Sequence, residues 1–136
     1  MIYEKTIDFE PTSLKRHRHT KKGFTYDPSC KDKMEFLKLL ELPEDKMKKP
    51  INCIIHFFSK RPKSHFRTGK YSNELKDNSP KYNTCKKDLD NMVKFILDSL
   101  NDKLYIDDSQ IIKLYCEKNY TIEKSYIYMK FEEINN

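Results

Sequence analysis

A chain of 136 residues is long enough to bury one core without disulfides or a structural metal. Its 37% hydrophobic and 35% charged residues, with nine Tyr and eight Phe, exclude global disorder, and no apolar run approaches the roughly 18 residues that span a membrane. The formal charge of +6 makes a polyanion the first partner to consider, because Lys and Arg gain by displacing counterions from phosphate.

The charge is uneven. Ser13 to Lys22 holds Lys15, Arg16, Arg18, Lys21 and Lys22 without an acid, and Ser59 to Lys87 holds nine Lys or Arg against Glu74 and Asp77. Met1 leads into Ile2-Tyr3-Glu4 rather than the basic patch and apolar run of a secretory signal. Cys30, Cys53, Cys85 and Cys116 are widely spaced, with no Cys-x-x-Cys pair, so a reducing intracellular compartment is expected. His17, His19 and Cys30 match no common zinc spacing, and zinc is not expected.

In chain order, Ile2 to Phe9 alternates, with Tyr3, Ile7 and Phe9 on one side, and reads as a strand that stops at Pro11. A basic loop over 11–28 follows. Ser29 is placed to cap a helix carrying Met34, Phe36, Leu37 and Leu40, which Pro43 should end. Ile51 to Phe58 is rich in β-branched and aromatic residues and reads as a central strand, with His56 a packed side chain rather than a ligand. From 59 to 87 periodicity vanishes, and a long basic loop is expected there.

Leu89, Met92, Val93, Ile96, Leu97 and Leu100 then form the stripe of an amphipathic helix. Ile111 to Lys118, with Ile112, Leu114 and Cys116 on one face, and Ser125 to Glu132, with Ile127, Met129 and Phe131 on one face, read as an antiparallel hairpin. The expected fold is therefore α+β, one small domain of order β-α-β-α-β-β with two helices packed on a mixed sheet.

The chemistry concentrates in Lys86-Lys87-Asp88-Leu89-Asp90. Residues two apart in extended backbone project to the same side, so Asp88 and Asp90 can converge on one cation. Within a helix they would diverge by about 200°, so convergence requires that the helix begin at Leu89 or Asp90. Capping of free helix N–H groups is the competing use for Asp88. A second acidic pair, Asp107-Asp108, stands before the next strand. Mg²⁺ takes carboxylate oxygens and keeps several waters, so two or three Asp from separate elements suffice for a site that also admits phosphate. Lys94, one turn after Asp90, either neutralises charge on a bound phosphate or pairs with Asp90 or Asp98 on the helix surface.

These residues resemble the RusA family of Holliday-junction resolvases. Lys87-Asp88-Leu89-Asp90-Asn91-Met92-Val93-Lys94, then Leu97-Asp98-Ser99-Leu100-Asn101, then Tyr105-Ile106-Asp107-Asp108-Ser109-Gln110-Ile111 are similar in order and spacing to that family's signature. The resemblance implies that Asp88, Asp90 and Asp108 bind Mg²⁺, with Mn²⁺ as a substitute, that Lys94 acts in catalysis, and that Asp107 is an additional acid. It also implies a homodimer that resolves four-way DNA junctions by paired symmetric nicks. Lys86, Lys87, Lys15, Arg16, Arg18, Lys21, Lys22, Arg61, Lys63 and Arg67 are the expected DNA contacts, and Phe24, Phe66, Tyr71 and Tyr82 are candidates to stack on opened bases. Two departures stand out: Lys87 occupies a place where many members carry Pro, and Lys15-Arg16-His17-Arg18 lacks the prolines often found there. The alternatives are a non-catalytic DNA- or RNA-binding module and a nuclease for flaps or forks.

Overall fold

A computed structural model describes residues 1–15, 18–23 and 25–135, with the backbone alone at Arg18 and His19. Among the described residues there are six strands and two α-helices: β1 (Ile2–Ile7), β2 (Arg18–His19), β3 (Thr25–Tyr26), α1 (Cys30–Lys38), β4 (Ile51–Lys60), α2 (Leu89–Leu100), β5 (Ile111–Thr121) and β6 (Tyr126–Glu133). The main sheet has the order β1-β6-β4-β5, with β4 and β5 parallel and the other pairs antiparallel. This is the α+β arrangement of two helices on a mixed sheet that the sequence leads one to expect.

The alternation along β4 explains its central place. Ile51, Cys53, Ile55 and Phe57 are fully buried, while Asn52, Ile54, His56 and Phe58 face the uncovered side of the sheet and are half-buried. His56 is packed as expected: its Nδ1 lies 3.2 Å from a Glu117 carboxylate oxygen, between the rings of Tyr115 and Tyr128. Ile127, Met129 and Phe131 of β6 join the buried layer. Helix α2 buries Met92, Val93, Ile96 and Leu100. Phe95 packs on Phe36 of α1 and on Phe9, with ring centroids 5.8 and 6.0 Å away. Phe95→Ala should cost about 3–5 kcal/mol, read as a lower urea midpoint.

The expected hairpin does not form. β5 and β6 follow one another in sequence, but β4 lies between them. The connection crosses the end of β4, where the Arg61 amide donates to the Thr121 carbonyl and the Lys60 amide to the Ser125 hydroxyl. Turn-forming composition between the two strands does not reveal that the more apolar β4 takes the place between them. The consequence is that β5 is an edge strand, with Ile112, at a register shift, 57% exposed and Leu114 47% exposed although it lies on the helix-facing side.

Three local readings also change. Helix α1 ends at Lys38, well before Pro43, and Met34 is exposed while Phe36 and Leu40 are buried. Ser29 occupies the N-cap position but makes no cap hydrogen bond; its buried hydroxyl accepts from the Lys15 amide instead. The basic stretch 59–87 begins inside β4 and then folds on itself through two short 3₁₀ turns, Lys63–His65 and Gly69–Tyr71, and a bridge between Phe66 and Leu75.

Glu133 ties the end of β6 to the 48–49 loop. Its burial alone would raise the carboxyl, but the amides of Lys48 and Lys49 donate to it and hold it below its ordinary value of 4.5. A depressed folded value stabilises above the unfolded one and is lost as pH falls through it. Glu133→Gln should therefore cost about 1 kcal/mol at neutral pH, and the gap should close below pH 4.5 in denaturation series.

Candidate active site

Asp88 is the N-cap residue of α2, in extended conformation (φ −71°, ψ 135°), and the helix begins at Leu89. This is the backbone that convergence of Asp88 and Asp90 requires. The competing capping role is absent, because the Asp88 carboxylate makes no hydrogen bond to the helix N–H groups. Both carboxylates are exposed, and the positive end of the helix dipole favours a negative charge there.

The second acidic pair divides its labour. Asp107 and Gln110 form a capping box around the 3₁₀ turn Asp108–Gln110: the Asp107 carboxylate accepts from the Ser109 amide, and the Gln110 side-chain oxygen accepts from the amides of Ile106 and Asp107. That bond to Ser109 holds the Asp107 carboxyl below the usual range. Gln110 also donates to the carbonyls of Met47 and Lys49, which fixes the turn on the body of the protein. Asp108 stays exposed outside this network, its amide held by the Asn101 side chain at 2.9 Å. Asn101, which the sequence quotes without a role, is thus the residue that places Asp108.

The same contact fixes where Asp108 lies. Asn101 is the C-cap of α2, whereas Asp88 and Asp90 stand at its start. A helix rises about 1.5 Å per residue, so Asp90 and Asn101 are about 16 Å apart along the axis. Within one chain Asp88 and Asp90 both stand at the start of α2, and Asp108 lies by its other end. Accordingly, no three His, Cys, Asp or Glu side chains gather into a metal-binding group among the described residues.

Between these ends runs an apolar cleft of about 460 Å³, lined by Leu89, Val93 and Leu97 of α2 and Leu114 and Cys116 of β5, with Asp90 and Lys94 on its rim. Lys94 is exposed there. Asp98 is not its partner, because Lys33 takes both Asp98 and Asp27. Burial works to lower the Lys33 ammonium, and the two carboxylates outweigh it and raise it. Asp98 is thereby a structural acid that ties α2 to the start of α1.

The expected DNA contacts fare differently. Lys87 donates to the Pro11 carbonyl at 2.7 Å and lies 3.8 Å from Glu10. Arg61 donates to the Pro80 carbonyl and lies over the Tyr120 ring at 4.8 Å, and Arg67 pairs with Glu74 at 2.9 Å. These three hold loops in place in the free protein. Lys15 is 3.8 Å from Asp32, while Lys21, Lys22, Lys63 and Lys86 are exposed. Arg16, the side chains of Arg18 and His19, His17 and Phe24 lie outside the described residues. Tyr82 is 72% exposed, Tyr71 lies beneath Arg67, and Phe66 is half-buried in the folded loop. Glu10, Lys60, Lys86, Lys87 and Tyr120 line a cleft of about 350 Å³ directly before Asp88.

No helix among the described residues is long and apolar enough to cross a membrane. No curated protein sequence matches the chain significantly. The family model for endodeoxyribonuclease RusA matches residues 8–130, a stretch that contains both acidic segments, Lys94 and the two basic loops. With the match running through both helices, β4, β5 and most of β6, the chain belongs to the RusA family of endodeoxyribonucleases.

Proposed function

We propose that the protein is a Mg²⁺-dependent resolvase of four-way DNA junctions that works as a homodimer, each active site drawing Asp88 and Asp90 from one copy and Asp108 from the other. The observation that carries this reading is the placement of Asp108 at the opposite end of α2 from Asp88 and Asp90. A two-fold axis across the apolar cleft would set two α2 helices antiparallel, with the start of each beside the end of its mate. The open edge of β5 runs along the same cleft, and an unpaired edge with exposed Ile112 and Leu114 favours pairing. Antiparallel pairing about Leu114 would bring the Asp108 end of one β5 to the Lys118 end of the other.

The donor set suits the ion. Mg²⁺ is bound through one or two carboxylates together with waters and substrate phosphates, and the Asp88 carboxylate is free of helix capping at a helix start surrounded by lysines. When bound, the ion polarises a phosphoryl oxygen and makes water nucleophilic at neutral pH. Asp88, Asp90 and Asp108 hold it, and Lys94 stabilises negative charge on the phosphate at the rim of the cleft. Lys86 and the exposed lysines of the two basic loops attract the backbone of the junction. A dimer with two such sites supplies the symmetry that paired nicks need.

The test is incubation of the purified protein with a labelled synthetic junction or linear duplex, with Mg²⁺ or with a chelator. Symmetric nicks on the junction alone and with metal alone are expected. Binding without cutting would favour a non-catalytic module, and cutting of flaps or forks in preference to the junction would favour a nuclease for other branched DNA.

A further inference from the structure

Leu114, Cys116 and Lys118 pair with the buried Cys53, Ile55 and Phe57 and lie on the helix-facing side of β5, and Lys118 is the one charged member of that row. Its place is beside the segment that leads into α2. Its ammonium donates to two backbone carbonyls, Lys87 at 2.7 Å and Cys85 at 2.9 Å. One residue on, the Asn119 carbonyl accepts from the buried Asn83 side chain, whose oxygen in turn accepts from the Cys85 amide. The end of β5 therefore grips 83–87, a segment without helix or strand, immediately before Asp88.

That grip bears on the carboxylate pair. Nothing in Cys85-Lys86-Lys87-Asp88 forbids a further helical turn, since it contains neither Pro nor Gly and Lys is a good helix former. A helix begun one turn earlier would make Asp88 helical and swing it about 200° from Asp90. Carbonyls committed to Lys118 point across to β5 and are withdrawn from such a turn.

We infer that Lys118 is a positioning residue that keeps Asp88 extended beside Asp90 by holding the Lys87 and Cys85 carbonyls. The inference rests on the reading of Asp88 and Asp90 as metal ligands, but its structural half is separately measurable. Because β5 starts next to Asp108, the same strand places one ligand at its beginning and braces the other two at its end.

Lys118→Met in the full chain removes the donors and keeps the length. The expected result is a shift of the Lys87 and Asp88 Cα resonances from extended toward helical values and about a tenfold rise in the Mg²⁺ concentration that half-saturates junction nicking, the scale for residues that support metal ligands. Lys118→Arg, which still offers two donors, should restore both readouts. Unmoved resonances in Lys118→Met overturn the inference whatever the nuclease assay gives, and so does an unaltered Mg²⁺ requirement beside moved resonances. If the wild type fails to nick while the resonances move, the nuclease reading fails and the latch stands. Should Lys118→Met not fold, Lys118→Gln, whose neutral amide offers two N–H donors at shorter reach, should give intermediate shifts; wild-type resonances there are the contrary result.

Discussion

Asp90→Asn should abolish nicking of a four-way junction while junction binding stays level or tightens. The substitution keeps the size of the side chain and removes one negative charge from the start of α2. Residues that merely support metal ligands cost about 10- to 100-fold when changed, and loss of a direct ligand should exceed that range. Binding moves the other way, because a carboxylate repels phosphate unless a cation lies between them. Gel shifts in a chelator and cleavage in Mg²⁺ separate the two effects. An Asp90→Asn protein that cuts at the original rate would show that the site has been misassigned.

Leu114→Glu should turn the protein into a folded monomer that does not cut. Leu114 is 47% exposed on the edge strand and lines the apolar cleft with Val93 and Leu97, so a carboxylate there is hydrated in the monomer and costs the fold little. Buried without a partner between two copies, the same charge costs several kcal/mol. About 4 kcal/mol raises the dissociation constant a thousandfold. Sedimentation should show the monomer, circular dichroism the retained fold, and the junction assay a loss as deep as that of Asp90→Asn. A monomeric Leu114→Glu protein with full activity would separate the site from the dimer.

What the sequence discloses of this protein follows from how local each signal is. The stripe on α2 sets its buried face because helix periodicity is a property of neighbouring residues. The extended Asp88 before Leu89 is likewise written locally, in a motif whose spacing works only if the helix starts there. Phe95 escapes the stripe because its burial comes from α1 and Phe9, which no single-helix pattern reports. The β5–β6 hairpin misleads because strand neighbours are chosen by competition among all strands, and β4 wins with its four fully buried residues. The acidic residues show the same divide. The pairing of Asp107 with Asp108 is legible in the sequence, but that Asn101 pins Asp108 to the far end of α2, and Asp107 is spent on a capping box, depends on contacts made only in the fold. The role of Lys118 is hidden for the same reason, since its partners are carbonyls and leave no mark on residue type.

Mixing two inactive proteins tests the shared active site most directly. Asp90→Asn and Asp108→Asn are purified separately, combined under conditions that exchange subunits, and assayed for nicking of a labelled junction in Mg²⁺. If each site takes Asp90 from one copy and Asp108 from the other, the mixed dimer concentrates both substitutions in one site and leaves the second intact. Single-strand nicks should then return although neither parent cuts. If exchange is verified and the mixture remains as inactive as its parents, each site is built within one chain, and the shared-site account is wrong.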